Sequence, residues 1–217
     1  MNVSQTVYDA LWQEWGAQNW WPATSHIEIM IGAILTQNTS WTQVEKVIQR
    51  LKEEKALDVQ TLASAPSSQL ELWVKPAGYY RQKSSFIRSM CRTLIEKFKG
   101  STEDLFLLET RELRNELLSW KGIGPETADS ILLYAAHRPV FVIDAYTRRF
   151  MTRHGWSPEN EPYDQMAKRF TNELETDSDL YNEYHALIVR LGKTYCRSKP
   201  ACQSCPLQFL LTRPVSV

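Results

Sequence analysis

Apolar positions recur at helical spacing along nearly the whole chain. In residues 25–37, Ile27, Met30, Ile31, Ile34 and Leu35 fall on one face of a 3.6-residue repeat. Ser25, followed three residues later by Glu28, is a capping-box pair that starts this helix. Ser40 with Gln43 repeats the signal and opens a helix running to about Lys52. A short helix over 67–74 runs into VKPAGYYRQ, where Pro and Gly break it. Residues 80–98 predict a long amphipathic helix closed by Gly100, and Ser101 restarts helical structure. After a helix over 110–119, Pro125 takes the first position of another, where its missing N–H costs nothing. The buried face of that helix is Ala128, Ile131, Leu132 and Ala135. Val140 to Ile143 is a brief apolar run, and Asp144 begins the helix AYTRRFMTRHG, which ends at Gly155. Helices near 162–174 and 179–192 precede a cysteine-rich tail. No alternating pattern is long enough to build a sheet, so the expected fold is all-α.

Composition narrows the class without naming a function. The 217 residues allow one large domain or two small lobes. With 43% hydrophobic and 23% charged residues, and no tract of about 18 apolar residues, the chain does not read as membrane-spanning. The stretch MNVSQTVYDALWQEW lacks a basic start followed by an apolar run, so it does not read as a signal peptide. The expected compartment is therefore the cytoplasm. Basic and acidic residues balance at 25 each, so a polyanionic partner must be held by local patches and backbone dipoles. Three of the four cysteines crowd into residues 196–205, which in a cytosolic chain argues for metal before disulfide.

The stretch WKGIGPETADS, residues 120–130, sets a Gly-Ile-Gly turn between two helices. Glycines at 122 and 124 permit dihedrals closed to other residues and bring backbone N–H groups close to a ligand. With the positive end of the following helix, those amides suit a phosphate. Such contact positions a protein on DNA without reading bases. The turn alone is equally a tight helix connection.

The wider pattern decides between them. LLSWKGIGPETADSILLYAAHRPVFVIDAYTRR resembles the signature of the helix-hairpin-helix DNA glycosylases, the endonuclease III superfamily. In that family a catalytic aspartate follows the hairpin by about 20 residues, and Asp144 lies 20 residues past Gly124. SHIEIMIGAILTQNT looks like the first core helix with its duplex-probing loop, and the resemblance spans residues 25–205. It implies a two-lobed helical unit over 1–217: one lobe at about 25–135 with the hairpin at 110–136, another from 1–24 plus 137–195, then a metal loop at 196–205. It further implies a monomer that acts on double-stranded DNA with a damaged base, in a bacterial or archaeal cytosol. Lys121, Gly122, Ile123 and Gly124 would hold the backbone, and Gln37 or Asn38 would fill the gap in the duplex.

Cleaving a base from deoxyribose builds positive charge on the sugar, which a carboxylate stabilises while it orients water. Asp144 is the candidate, although Asp at a helix start is also an ordinary N-cap. Family members that nick DNA carry a lysine two residues past the second glycine, as nucleophile for a Schiff base. Here that position is Glu126, which cannot form an imine, so the resemblance implies a monofunctional enzyme using water. The adenine-mismatch branch adds a catalytic glutamate at a position held here by Ala33. WWP ahead of the core helix, LTQNT, KPAGYY and KGIG followed by Glu together look like the 3-methyladenine DNA glycosylase III branch. By that likeness Trp20, Trp21, Pro22, Trp41 and Lys193 belong to the base pocket, and stacking repays the unstacking of a flipped base. A cationic methylated purine gains additional attraction to aromatic faces.

The tail YCRSKPACQSCPL spaces Cys196, Cys202 and Cys205 as C-x5-C-x2-C. It resembles the family's iron–sulfur loop, which has one more residue in the first spacing and a fourth cysteine where this chain has Leu211. A [4Fe–4S] cluster on three thiolates, zinc with a histidine such as His185, and a metal-free loop all remain open. Cys91 reads as a buried core thiol.

Overall fold

The computed structural model describes residues 2–211. Among them all regular structure is helical. In chain order the helices are α1 (Val3–Trp15), α2 (His26–Leu35), α3 (Trp41–Glu53), α4 (Val59–Ser64), α5 (Ser67–Val74) and α6 (Tyr80–Phe98). They continue as α7 (Thr102–Phe106), α8 (Thr110–Leu118), α9 (Pro125–Tyr134), α10 (Ala145–Arg153), α11 (Tyr163–Glu173) and α12 (Ser178–Thr194). The chain divides into two compact units, Met1–Pro22 with His137–Val217, and Ala23–Ala136.

The Ala23–Ala136 unit is built around α2. The sequence pattern suggests one apolar face, yet every residue from Ile27 to Leu35 is buried. A helix covered on all sides has an apolar sequence all round, and HIEIMIGAIL does. Its one buried charge, Glu28, departs from the expected capping box. Ser25 Oγ accepts the Glu28 N–H at 3.4 Å. The Glu28 carboxylate, however, accepts from Thr24 N and Thr24 Oγ1 at 3.0 and 2.8 Å and from Lys52 Nζ at 2.7 Å. It closes the preceding loop onto the helix and ties α3 to α2. Ser40 makes no side-chain cap, because the Gln43 amide is already bonded to the Ser40 carbonyl. Arg114 of α8 and the buried Asp129 of α9 form a forked pair at 2.6 and 3.1 Å, which locks the hairpin's two helices together.

The other unit packs α1, α10, α11 and α12 around an aromatic core. Phe141 stacks on Phe170 at 4.0 Å and meets Tyr181 and Tyr184 edge-on. Where α10 crosses α12, a Cβ added to Gly192 would lie 2.2 Å from the Tyr146 ring. The bare backbone there lets α10 sink onto its neighbour. Arg149 and Arg153 extend from α10 to the tail, donating to the carbonyls of Gly192, Cys196, Arg197 and Ser198.

Candidate active site

The hairpin's two glycines do different work. Gly122 has φ +81°, a left-handed conformation that favours glycine, and a Cβ there would strike the Phe86 ring at 2.2 Å. Gly124 sits at φ −95° and ψ −179°, extended backbone open to any residue, so the expectation of a special dihedral fails at that position. No atom lies within 4 Å of where its Cβ would be. What Gly124 supplies is an open approach to the start of α9, the positive end of a helix. Between them Ile123 is buried and its N–H is bonded to the Trp120 carbonyl. It anchors the turn, so neither its side chain nor its amide faces a ligand. Lys121 is exposed, its Nζ 3.4 Å from Ser85 Oγ.

The loop after α2 leans on this hairpin. Gln37 Nε2 donates to the Gly122 carbonyl at 2.9 Å and to Thr127 Oγ1 at 3.0 Å. Its Nε2 donors are therefore both used within the protein, and the exposed residue at the loop tip is Asn38, at φ +51°. Glu126 lies exposed in the first turn of α9.

Asp144 caps α10 with one oxygen and meets a histidine with the other. Oδ1 accepts the Thr147 N–H at 2.7 Å, and Oδ2 lies 3.6 Å from His185 Nε2 of α12. Both side chains are largely shielded, at 13% and 8% exposure. Burial pushes the carboxyl's pKa up, but His185 and the Thr147 bonds outweigh it and leave the pKa below the ordinary aspartate value. The carboxylate thus caps a helix and stays ionised at the same time. A carboxylate held ionised at a helix start, with fixed partners on both oxygens, is preorganised to stabilise nearby positive charge.

Trp20 and Trp21 are half-buried, their rings 5.5 Å apart and tilted by 57°. Pro22 is exposed, and Trp41, in the Ala23–Ala136 unit, is half-buried at the first position of α3. Lys193 is exposed in the last turn of α12.

Cys196, Cys202 and Cys205 line one narrow cavity of about 20 Å³ with His154, Leu207 and Leu211. His185 is taken up by Asp144, so the histidine beside the thiols is His154, buried, with Nδ1 lacking a hydrogen-bond partner among the described residues. Burial pushes the Cys205 thiol up to about 11, which favours its protonated form. Arg153 Nη1 approaches Cys196 Sγ at 3.3 Å. Among the described residues no three His, Cys, Asp or Glu side chains gather as a metal site. Three thiols, with Leu211 where a fourth would stand, do not match a four-thiolate cluster. Cys91 is fully buried in α6.

Comparison with known proteins bears directly on this geometry. The family model for the HhH-GPD superfamily base excision DNA repair protein matches residues 31–176, from within α2 through the hairpin and Asp144 to the end of α11. The chain belongs to that family. A Methanocaldococcus jannaschii protein carrying the provisional name of DNA repair glycosylase is 42% identical over 210 residues, 95% of each chain. Endonuclease III of Thermotoga maritima is 28% identical over 188 residues, covering 85% of this chain and 82% of that one. The solved H. pylori 3-methyladenine DNA glycosylase bound to 1,N6-ethenoadenine is 29% identical with a TM-score of 0.78, across 88% of this chain and 97% of that one. A non-covalent endonuclease III–DNA complex shares the fold at 23% identity and a TM-score of 0.82, over 96% of this chain and 95% of that one. This HhH-GPD protein is thus a DNA-binding base excision repair N-glycosylase of the endonuclease III superfamily, with a likeness to its 3-methyladenine branch.

Two buried residues were not legible as such in the sequence. His185, named there only as a possible zinc ligand, stands 41 positions beyond Asp144, and one helical histidine carries no signal of that partner by itself. Lys83, 2% exposed, sits beneath the Asn38 loop, and nothing in YRQKSSFI distinguishes it from a solvated lysine.

Proposed function

We propose that this glycosylase is monofunctional and hydrolyses the N-glycosidic bond of flipped alkylated purines such as 3-methyladenine. The observation that carries the reading is the pairing of an ionised, shielded Asp144 with a glutamate at the Schiff-base position, Glu126. Water is then the nucleophile, Asp144 stabilises the oxocarbenium-like sugar and orients the water, and the product is an abasic site. An alkylated purine is already a good leaving group, so acid assistance need only be weak. The aromatic faces of Trp20 and Trp21 suit a cationic purine, and the likeness to a glycosylase solved with ethenoadenine supports the same substrate class. Pro22, Trp41 and Lys193 join the base pocket on the resemblance. The hairpin grips a phosphate beside the lesion, Asn38 fills the vacated stack, and the protein works as a monomer.

The test is a methylated duplex set beside thymine-glycol and mismatch duplexes, each with and without alkaline strand cleavage. Free methyladenine, with nicks only after alkali, is the expected result. Nicking without alkali removes the monofunctional claim, and release from the pyrimidine duplexes alone moves the enzyme to the oxidised-base class.

A further inference from the structure

Lys83 is a buried cation that the excision chemistry leaves unused. Its ammonium donates to the Leu35 carbonyl at 2.8 Å, the Ala77 carbonyl at 2.9 Å and Thr39 Oγ1 at 2.5 Å. An ammonium has three N–H donors, and here each has an acceptor. None of the three is a carboxylate. Leu35 is the last residue of α2, so the charge sits at the negative pole of that helix, which stabilises a lone cation. Thr39 Oγ1 itself bonds the Ala77 carbonyl, closing the network.

The three acceptors come from two segments. Leu35 and Thr39 flank the loop that carries Asn38, and Ala77 begins the turn that carries Tyr79. Both tips are exposed and left-handed, at φ +51° and φ +43°. A non-glycine residue holds that conformation when its surroundings impose it. Gln37 joins the same loop to the hairpin carbonyl of Gly122. Hairpin, loop and turn thus form one bonded surface, with Lys83 beneath two of its parts. A methionine would fill similar volume but supply none of the directed donors.

We infer that Lys83 is a positioning residue of the damage-recognition surface, holding the Asn38 loop and the Tyr79 turn in one register so that they accept a duplex with an extruded nucleotide. This rests on the reading that the Asn38 loop probes the duplex. Lys83 is buried, so it acts through the loops and makes no DNA contact of its own.

The full-length protein is titrated with two duplexes of one sequence, undamaged and carrying a tetrahydrofuran abasic analogue. The readout is the ratio of the two dissociation constants. Lys83→Met is expected to cut the preference for the abasic duplex by at least about tenfold, because small misplacements cost that much. Undamaged binding, governed by phosphate contacts, stays within about threefold. Thr39→Val, which removes one acceptor and the bond to Ala77, gives a smaller loss in the same direction. A Lys83→Met protein that keeps its preference within about twofold overturns the inference. So does a parallel fall on both duplexes, the mark of a merely structural role. Should Lys83→Met fail to fold by circular dichroism, Thr39→Val decides, and an unchanged preference there overturns it. A wild-type protein with no abasic preference overturns it as well. Absence of methyladenine release with the preference intact overturns the substrate reading alone.

Discussion

Two buried charges, one in each unit, are stabilised in opposite ways. Asp144 has a helix N-terminus behind it, whose Thr147 N–H it accepts, and the His185 imidazole 3.6 Å from its other oxygen. Lys83 has only neutral oxygens, two carbonyls and a hydroxyl, at the C-terminal end of α2. In the first case the surroundings favour the charged form, and the carboxyl's pKa falls below its ordinary value. In the second, burial pulls the ammonium down to about 8, so the charge is held at a cost. At Asp144 the surroundings protect the charge itself, and at Lys83 they use the number and direction of its bonds.

The largest effect separating the two sites belongs to Asp144→Asn. It removes the negative charge but can still accept the Thr147 amide, so the helix cap survives. Base release in single turnover is expected to fall by about 10²–10⁴-fold while DNA affinity stays within a few-fold. Undiminished release takes Asp144 out of the mechanism.

His185 tests whether the partner matters through its position. Cutting it to alanine frees Asp144 Oδ2, and we expect about a tenfold slower excision step with little change in DNA affinity. Glutamine reaches the same oxygen with an amide and should recover most of that rate. Equal rates for the alanine and glutamine variants leave His185 as core packing.

At the hairpin the comparison is carried by backbone. Gly122→Ala forces a methyl into Phe86 at a left-handed dihedral, and a stability loss of about 1–3 kcal/mol in denaturant titration is expected. Gly124→Ala meets nothing, so its stability should hold while DNA binding weakens. A Gly124→Ala protein that unfolds as readily as Gly122→Ala erases the distinction.

The smallest effect is in pH. The folded pKa of Lys83, about 8, lies below its ordinary value of 10.5, so the unfolded chain binds more protons between those limits. Its contribution to stability therefore rises with pH across that window and is unfavourable below it. The stability difference between wild type and Lys83→Met should move toward wild type from about pH 8 to about pH 10.5. A flat difference places the lysine's titration outside the folded state's control.

Local signals carried most of the fold. The helix at 67–74 and the one at 80–98 appear with the boundaries that Pro, Gly and apolar spacing predict. Pro125 and Asp144 mark two helix starts because both act within a single turn. Ser40 offered the same kind of signal, yet its hydroxyl makes no cap, since a backbone bond had already satisfied the amide. The helix over Val59–Ser64, capped by Asp58 on Thr61, is too short to show a clear period. The hairpin and Asp144 were each legible because a fixed spacing along the sequence joins them. Lys83 and His185 were not, for their partners lie 48 and 41 positions away and depend on helix packing. The different work of the two glycines was equally hidden: Phe86, which decides it, arrives from another helix.

Gly192 gives the Asp144–His185 pair its scale. His185 and Gly192 stand seven residues apart on α12, two turns along the same side. Tyr146, two residues past Asp144, rests against the bare backbone at Gly192. The depth of that seat sets how far α10 stands from α12, and with it the reach between carboxylate and imidazole. A single missing carbon atom at Gly192 therefore works as the spacer that sets where the Asp144 carboxylate stands against His185.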